Sequence, residues 1–217
     1  MKKGIRLIRH ADLANALKPC VATIGNFDGV HLGHQRVLQE VINKSRELRL
    51  VPTVITFEPL PISVLKPKET YARIMKFSQK LNMMAQLGIE QVVCLRFNTQ
   101  FAKLNPVQFI EEYLVKRLKI AHLFIGEGFR FGHQQAGNVQ TLMVNAKQLG
   151  FDVHALNHHQ MSGDKISSSK IRHLLATGDL ANASQLLGRP FSMTSRVVSG
   201  AKRGSAFGFP TANLAKH

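Results

Sequence analysis

The sequence predicts an α/β protein: a parallel sheet covered by helices on both faces. Three observations predict it. Short apolar or β-branched runs alternate with longer segments of helical periodicity. Two of the longer segments stop at glycines, Gly88 and Gly150. The unusual polar motifs fall where short runs end, which is where open parallel sheets bind ligands. Strands alternating with helices imply right-handed crossovers and a parallel sheet.

The elements follow in order. Cys20 to Ile24 reads as a buried strand ending at Gly25. From His31 to Leu48, Val37, Leu38, Val41, Ile42 and Leu48 recur at near-helical spacing. Val51 to Phe57 is β-branched and closes before Pro59. Phe77 to Leu87 is a helix, and Gln91 to Phe97 a second buried strand. Asn105-Pro106 supplies a cap and a first residue for a helix running to about Leu118. His122 to Ile125 is a short strand ending at Gly126. Val139 to Leu149 is a helix, and Phe151 to Leu156 a strand.

Bulk properties narrow the function. The 217 residues are 44% hydrophobic, enough for one substantial core and a small second unit. No apolar run reaches the ~18–20 residues of a membrane span, and MKKGIRLIRH has no apolar stretch after its charges, so neither a span nor a signal peptide is expected. Cys20 and Cys94 are isolated in apolar stretches, which suits reduced core thiols of a cytoplasmic protein. A net charge of +16 favours anionic partners. The cations are scattered, without a basic block or a basic-aromatic repeat, so nucleotides are expected rather than nucleic acid. The oligomeric state is left open.

The strongest motif is Thr23-Ile24-Gly25-Asn26-Phe27-Asp28-Gly29-Val30-His31-Leu32-Gly33-His34, between a strand and a helix. Gly25, Gly29 and Gly33 permit a sharp turn and a close approach to a ligand. His31 and His34 stand where unpaired N–H groups and the helix dipole attract anions, and both can donate hydrogen bonds to phosphate oxygens. A zinc site would need a third ligand, and none stands at a recognisable spacing. A second motif, Ser167-Ser168-Ser169-Lys170-Ile171-Arg172, opens another helix. One serine suffices for a cap; three with Lys170 and Arg172 can also hold a polyphosphate.

These segments resemble a known family. His31-Leu32-Gly33-His34 is similar to the His-x-Gly-His motif of nucleotidyltransferases, and GNFDGVHLGH resembles the bacterial bifunctional riboflavin kinases/FAD synthetases. The resemblance continues through Thr56 to Pro59, Gly126 to Gly132 and Ile166 to Arg172, and ends in Gly204 to Asn213. It implies a Rossmann-like adenylyltransferase domain over residues 1–187, with 188–217 as linker and incomplete start of a β-barrel kinase domain. It also implies that the phosphate of FMN attacks the α-phosphorus of ATP, giving FAD and pyrophosphate, with Mg²⁺ carried by the ATP and no metal held directly by the protein.

In that reading His31 and His34 are catalytic, and Gly25, Asn26, Phe27, Asp28, Gly33, Ser167, Ser168, Ser169 and Arg172 bind ATP or phosphate. Gly126, Gly128 and Phe129 belong to a flavin or adenine pocket. Asp28 is equally suited to forming the turn beside Gly29 or to partnering a metal or histidine.

Thr211 and Asn213 match the family's Mg-ATP motif for riboflavin phosphorylation, but the few residues around them cannot close a barrel, so kinase activity is not expected. Departures cluster in one loop. Gly128 stands where the family has Asp or Asn, and Gln135-Ala136-Gly137-Asn138 where it has Arg-x-Gly-Asp. Two other outcomes therefore stay open: transfer to another phosphorylated acceptor, and a weakened or inactive nucleotide-binding remnant.

Overall fold

The computed structural model describes residues 4–10, 17–157, 160–161, 164–200, 203–209 and 211–215. Six parallel strands form the central sheet: β1 (Arg6–Arg9), β2 (Cys20–Ile24), β3 (Val51–Phe57), β4 (Gln91–Leu95), β5 (Ile120–Gly126) and β6 (Asp152–Leu156), in the order β1-β4-β3-β2-β5-β6. The expected α/β class and parallel sheet are what the chain adopts.

The central strands are buried on both faces, and successive side chains enter opposite cores. Cys20, Ala22, Ile24, Ile55, Val93, Leu95, Leu123 and Ile125 enter one core; Val21, Val54, Val92 and Phe124 enter the other. The second core is covered by α1 (Leu32–Leu48) through Leu38, Val41 and Ile42, and by α3 (Phe77–Leu87) through Met84. A short helix, α2 (Pro61–Leu65), precedes α3.

The first core is covered by Phe109, Ile110 and Leu114 and by α5 (Val139–Leu149) through Leu142 and Ala146. The helix opened by the Asn105 cap is α only over α4 (Pro106–Gln108), then widens to a π-helix over Phe109–Arg117. The Leu118 N–H accordingly reaches the Tyr113 carbonyl at 2.9 Å. This corrects the expected uniform α-helix; the apolar spacing Ile110, Leu114, Leu118 satisfies either winding, and all three side chains are buried.

Other boundaries move little. β4 stops at Leu95 and β5 begins at Ile120, and His31 is the cap of α1 rather than its first residue. Elements that the sequence reading does not contain include edge strand β1, α2, and α7 (Leu180–Leu187), which follows α6 (Ser168–Ala176). A third small cluster, Ile74, Ile166, Ile171, Leu186 and Leu187, packs α6 and α7 beside the loops at the sheet's carboxyl end. Beyond α7, Val197–Val198 pairs antiparallel with Asn213–Leu214.

The chain runs from β2 through β3 to β4 on one side, then returns to β5 and β6 on the other. The crevice outside the end of β2 is thus a topological switch point.

Candidate active site

The loop after β2 is held open by an unusual backbone. Phe27 (φ 51°), Gly29 (φ 86°) and Val30 (φ 40°) are left-handed. The region is costly for a β-branched residue such as Val30 and is tolerated where surrounding contacts fix it. Phe27 and Val30 are buried, anchoring the loop in the core beneath it.

His31 emerges from this turn as the cap of α1. Its Nδ1 accepts the His34 N–H at 3.2 Å. That bond leaves the proton of the neutral ring on Nε2. Burial, then the charge of Arg189, with a smaller contribution from Arg172, pushes His31 down to about 4. Burial, then His31 and Lys80, push His34 down as well. Both rings are therefore neutral donors at physiological pH.

The two imidazoles stack at 3.6 Å with planes 14° apart, and Phe27 lies 4.9 Å from His34. Gly33 makes the stack possible: a Cβ there would meet Cε1 and Nδ1 of His31 at 3.3 Å. His34 Nδ1 is buried without a protein partner.

Asp28 ties three segments together. Its carboxylate accepts the Ile74 N–H at 3.1 and 3.2 Å and pairs with Arg172 at 3.4 Å, while its carbonyl accepts from Ser168 Oγ at 2.8 Å. Through these bonds Asp28 contacts neither histidine; it links the loop after β2 to the segment at Ile74 and to the start of α6. Ser167 caps α6, its Oγ accepting the Lys170 N–H at 3.2 Å. Arg172 also bonds the Tyr71 hydroxyl and lies 4.2 Å over that ring, with Nε buried and unpartnered.

Reasoning from sequence missed Lys80. It is buried on α3 and donates to the Asn26 carbonyl at 2.9 Å and to Thr56 Oγ1 at 3.2 Å, beneath the same loop. Burial pushes its ammonium down. The signal was available: Lys80 shares the apolar face of α3 with Phe77 and Met84, where a lone cation is out of place. Tyr71, in a polar segment without periodicity, offered no comparable cue.

Two hollows meet at the end of β2. A cleft of about 350 Å³ is lined by His31, Gly33, His34, Ser167, Ser168, Phe27 and Gly126. A cavity of about 420 Å³ is lined by Asn26 and by Phe57, Phe97, Phe101, Phe109 and Phe131. Ile24, Gly25, Gly128 and Phe129 line both. Asp28, Ser169, Arg172, Thr211 and Asn213 line neither. Thr211 and Asn213 are exposed, Asn213 in the C-terminal ladder, and Pro210 of that motif lies outside the described residues.

The unusual loop resolves into separate cases. Asn138 caps α5, its Oδ1 accepting the Thr141 N–H at 2.9 Å, a task Asp performs equally. Gln135 (φ 58°) lines the apolar cavity. Residues Gly126 to Phe129 form a tight turn closed by the Phe129 N–H on the Gly126 carbonyl at 2.9 Å, not the extended segment expected around Glu127. Gly128 therefore sits on the rim shared by both hollows. Cys20 and Cys94 are free thiols.

Comparison with known proteins agrees with this geometry. The family model for FAD synthetase matches residues 13–170, and that for riboflavin kinase matches residues 187–217. The bifunctional riboflavin kinase/FMN adenylyltransferase of Escherichia coli (strain K12) is 40% identical over 195 residues, 90% of this chain and 62% of the relative. The protein of that name from Haemophilus influenzae is 39% identical over 214 residues, 98% of this chain and 70% of the relative. The chain thus spans 62% of the E. coli relative's length. A solved structure described as a macrolide-efflux protein from Streptococcus pneumoniae superposes with a TM-score of 0.82 at 27% identity, covering 97% of this chain and 69% of that one. Among the described residues no helix is long and apolar enough to cross a membrane.

Proposed function

Because this chain belongs to the FAD synthetase family, we propose that it transfers the AMP group of ATP to the phosphate of FMN, forming FAD and pyrophosphate. The observation that carries the proposal is the junction of a phosphate-type cleft and a phenylalanine-lined cavity at Gly25, Gly128 and Phe129. Adenylylation of a flavin phosphate needs such a pairing: an apolar berth for the isoalloxazine opening onto donors for a polyphosphate.

A phosphate oxygen of FMN bonds to the α-phosphorus as the bond from that phosphorus to the bridging oxygen breaks; the electron pair leaves with pyrophosphate. The FMN phosphate is already ionised, so the protein's work is positioning and charge stabilisation. His31 would donate from Nε2 to the α-phosphoryl oxygens, with His34 beside it. The first turn of α6, with Ser167, Ser168 and Ser169, would receive the β- and γ-phosphates, and Arg172 would close on them from its place against Tyr71 and Asp28. Asn26, Phe27 and Gly33 shape the walls.

Among the described residues no group of three or more His, Cys, Asp or Glu is placed to hold a metal, and the Asp28 carboxylate is engaged. Mg²⁺ would come with the ATP and supply neutralisation of its phosphate charge. Residues 1–187 would perform the transfer, and we assign Thr211 and Asn213 no part in it. Free thiols fit a cytoplasmic setting.

The test is pyrophosphate release from ATP with FMN, nicotinamide mononucleotide or phosphopantetheine as acceptor. Release with FMN alone supports the proposal; release with another acceptor replaces it, and none with any acceptor makes the chain a binding remnant.

A further inference from the structure

The chain leaves α7 through Gly188-Arg189-Pro190, which reads in sequence as a linker. The structure gives it a different character. Gly188 caps α7 in the left-handed region (φ 69°), and a Cβ there would lie 2.5 Å from Leu32 Cδ2. The backbone is thus pressed against the first residue of α1, directly after His31. Arg189 is turned back into the catalytic loop. Its Nη2 donates to the Gly29 carbonyl at 2.7 Å, and its Nη1 to the carbonyls of Leu187 at 3.2 Å and Val30 at 3.4 Å. Gln35 reaches two of the same acceptors, Val30 at 2.9 Å and Leu187 at 3.1 Å. Two side chains from different elements therefore clasp the turn whose left-handed residues, Gly29 and Val30, precede His31.

Arg189 differs from Gln35 in charge. It is partly buried, its hydrogen bonds go to backbone carbonyls, and among the described residues it has no carboxylate in ion-pair contact. A guanidinium keeps its charge even so. That charge acts on His31, the Arg172 guanidinium acts in the same direction more weakly, and the His34 ring stacks against it.

We infer that Arg189 is a positioning residue for the adenylyl transfer: its guanidinium fixes the Gly29–Val30 turn so that the neutral His31 ring faces the transferred phosphoryl group, and it holds beside the turn that leads into His31 a positive charge with no carboxylate partner among the described residues. The inference rests on the proposed reaction for its kinetic part only. Strained backbone persists where its surroundings over-determine it, and three carbonyl contacts from one rigid fork do that.

The experiment compares Arg189→Met, Arg189→Lys and Gln35→Ala in the full chain, by FMN adenylylation kinetics, thermal melting and proton NMR titration of the His31 ring. In Arg189→Met, kcat falls by about tenfold or more while KM for ATP and FMN changes by less than about threefold, as expected when an interaction serves the transition state. The His31 midpoint rises from about 4. Lys restores the midpoint but only part of kcat, because it lacks the fork. Gln35→Ala lowers kcat without raising the midpoint. A folded Arg189→Met protein with normal kcat would overturn the inference. So would a loss of activity that tracks melting while the His31 midpoint stays fixed. If the unaltered chain makes no FAD, the proposed function fails, whereas the titration still reports whether Arg189 governs His31.

Discussion

Replacement of His31 separates two jobs that one side chain performs. Nδ1 caps α1 by accepting the His34 N–H, and in the proposed reaction Nε2 would donate to phosphate. Asn at position 31 keeps an acceptor for the cap but removes the Nε2 donor; Ala removes both. The cap is worth about 1 kcal/mol, so His31→Ala should be less stable than His31→Asn by about that amount in urea denaturation. Turnover should fall alike in both, by roughly 10²–10³, the usual cost of removing one preorganised donor to a developing oxyanion.

The same histidine predicts a pH dependence of stability. Its folded value is near 4 against 6.5 in the open chain, so between those values the unfolded state binds more protons. Stability should be fully present above pH 6.5 and decline toward pH 4, by on the order of 3 kcal/mol from this group. His34 is displaced in the same direction and adds to the slope, so His31→Asn should flatten the decline without abolishing it. Denaturation curves across that range, read beside initial rates, check both parts. Normal turnover in His31→Asn would refute the assignment of Nε2 to phosphate.

Lys80→Met should cost about 1–3 kcal/mol of stability, since the Asn26 carbonyl and Thr56 hydroxyl lose their buried donor; an unchanged denaturation midpoint would count against the buried strut beneath the loop. Arg172→Lys should weaken ATP binding by roughly tenfold in calorimetry, the value of one charge-assisted contact, and unchanged affinity would remove Arg172 from the phosphate site. Gly128 is not among the residues with left-handed φ, so Asn can be introduced there without backbone strain. Gly128→Asn, alone or with Gln135→Arg, should raise kcat/KM for FMN by a few-fold to about tenfold, and no gain would make these departures neutral.

The parts of the fold legible in the sequence are those where periodicity and punctuation coincide. β2 and β3 are apolar runs closed by Gly25 and by the Glu58-Pro59 pair, and α3 and α5 end at left-handed Gly88 and Gly150. β1 escaped because Arg6–Arg9 is a four-residue edge strand with arginine at both ends, a composition that protects sheet edges and hides the strand pattern. α7 escaped because it is only eight residues long and its cap, Asp179, follows α6, which ends at Ala176, too closely to mark a separate start. The π-winding of Phe109–Arg117 is a matter of backbone hydrogen bonds that apolar spacing does not distinguish.

The site shows the same division. His31, Gly33, His34, Ser167 and Ser168 were found because each lies in a contiguous motif, and the fold brings them to one cleft. Lys80 and Arg189 act from far along the chain on the carbonyls of that motif, through contacts that only the tertiary structure creates. Asp28 and Arg172, expected at the phosphates of ATP, line neither hollow, and their side chains bond Ile74, Tyr71 and each other.

The central claim is that AMP passes from ATP to the phosphate of FMN. It is tested most directly by incubating the chain with FMN and ATP labelled in the α-phosphate, then separating the nucleotides and flavins. The account predicts that the label appears in FAD, with one pyrophosphate released for each FAD formed. Label that stays in ATP, or emerges only as free AMP, would contradict it.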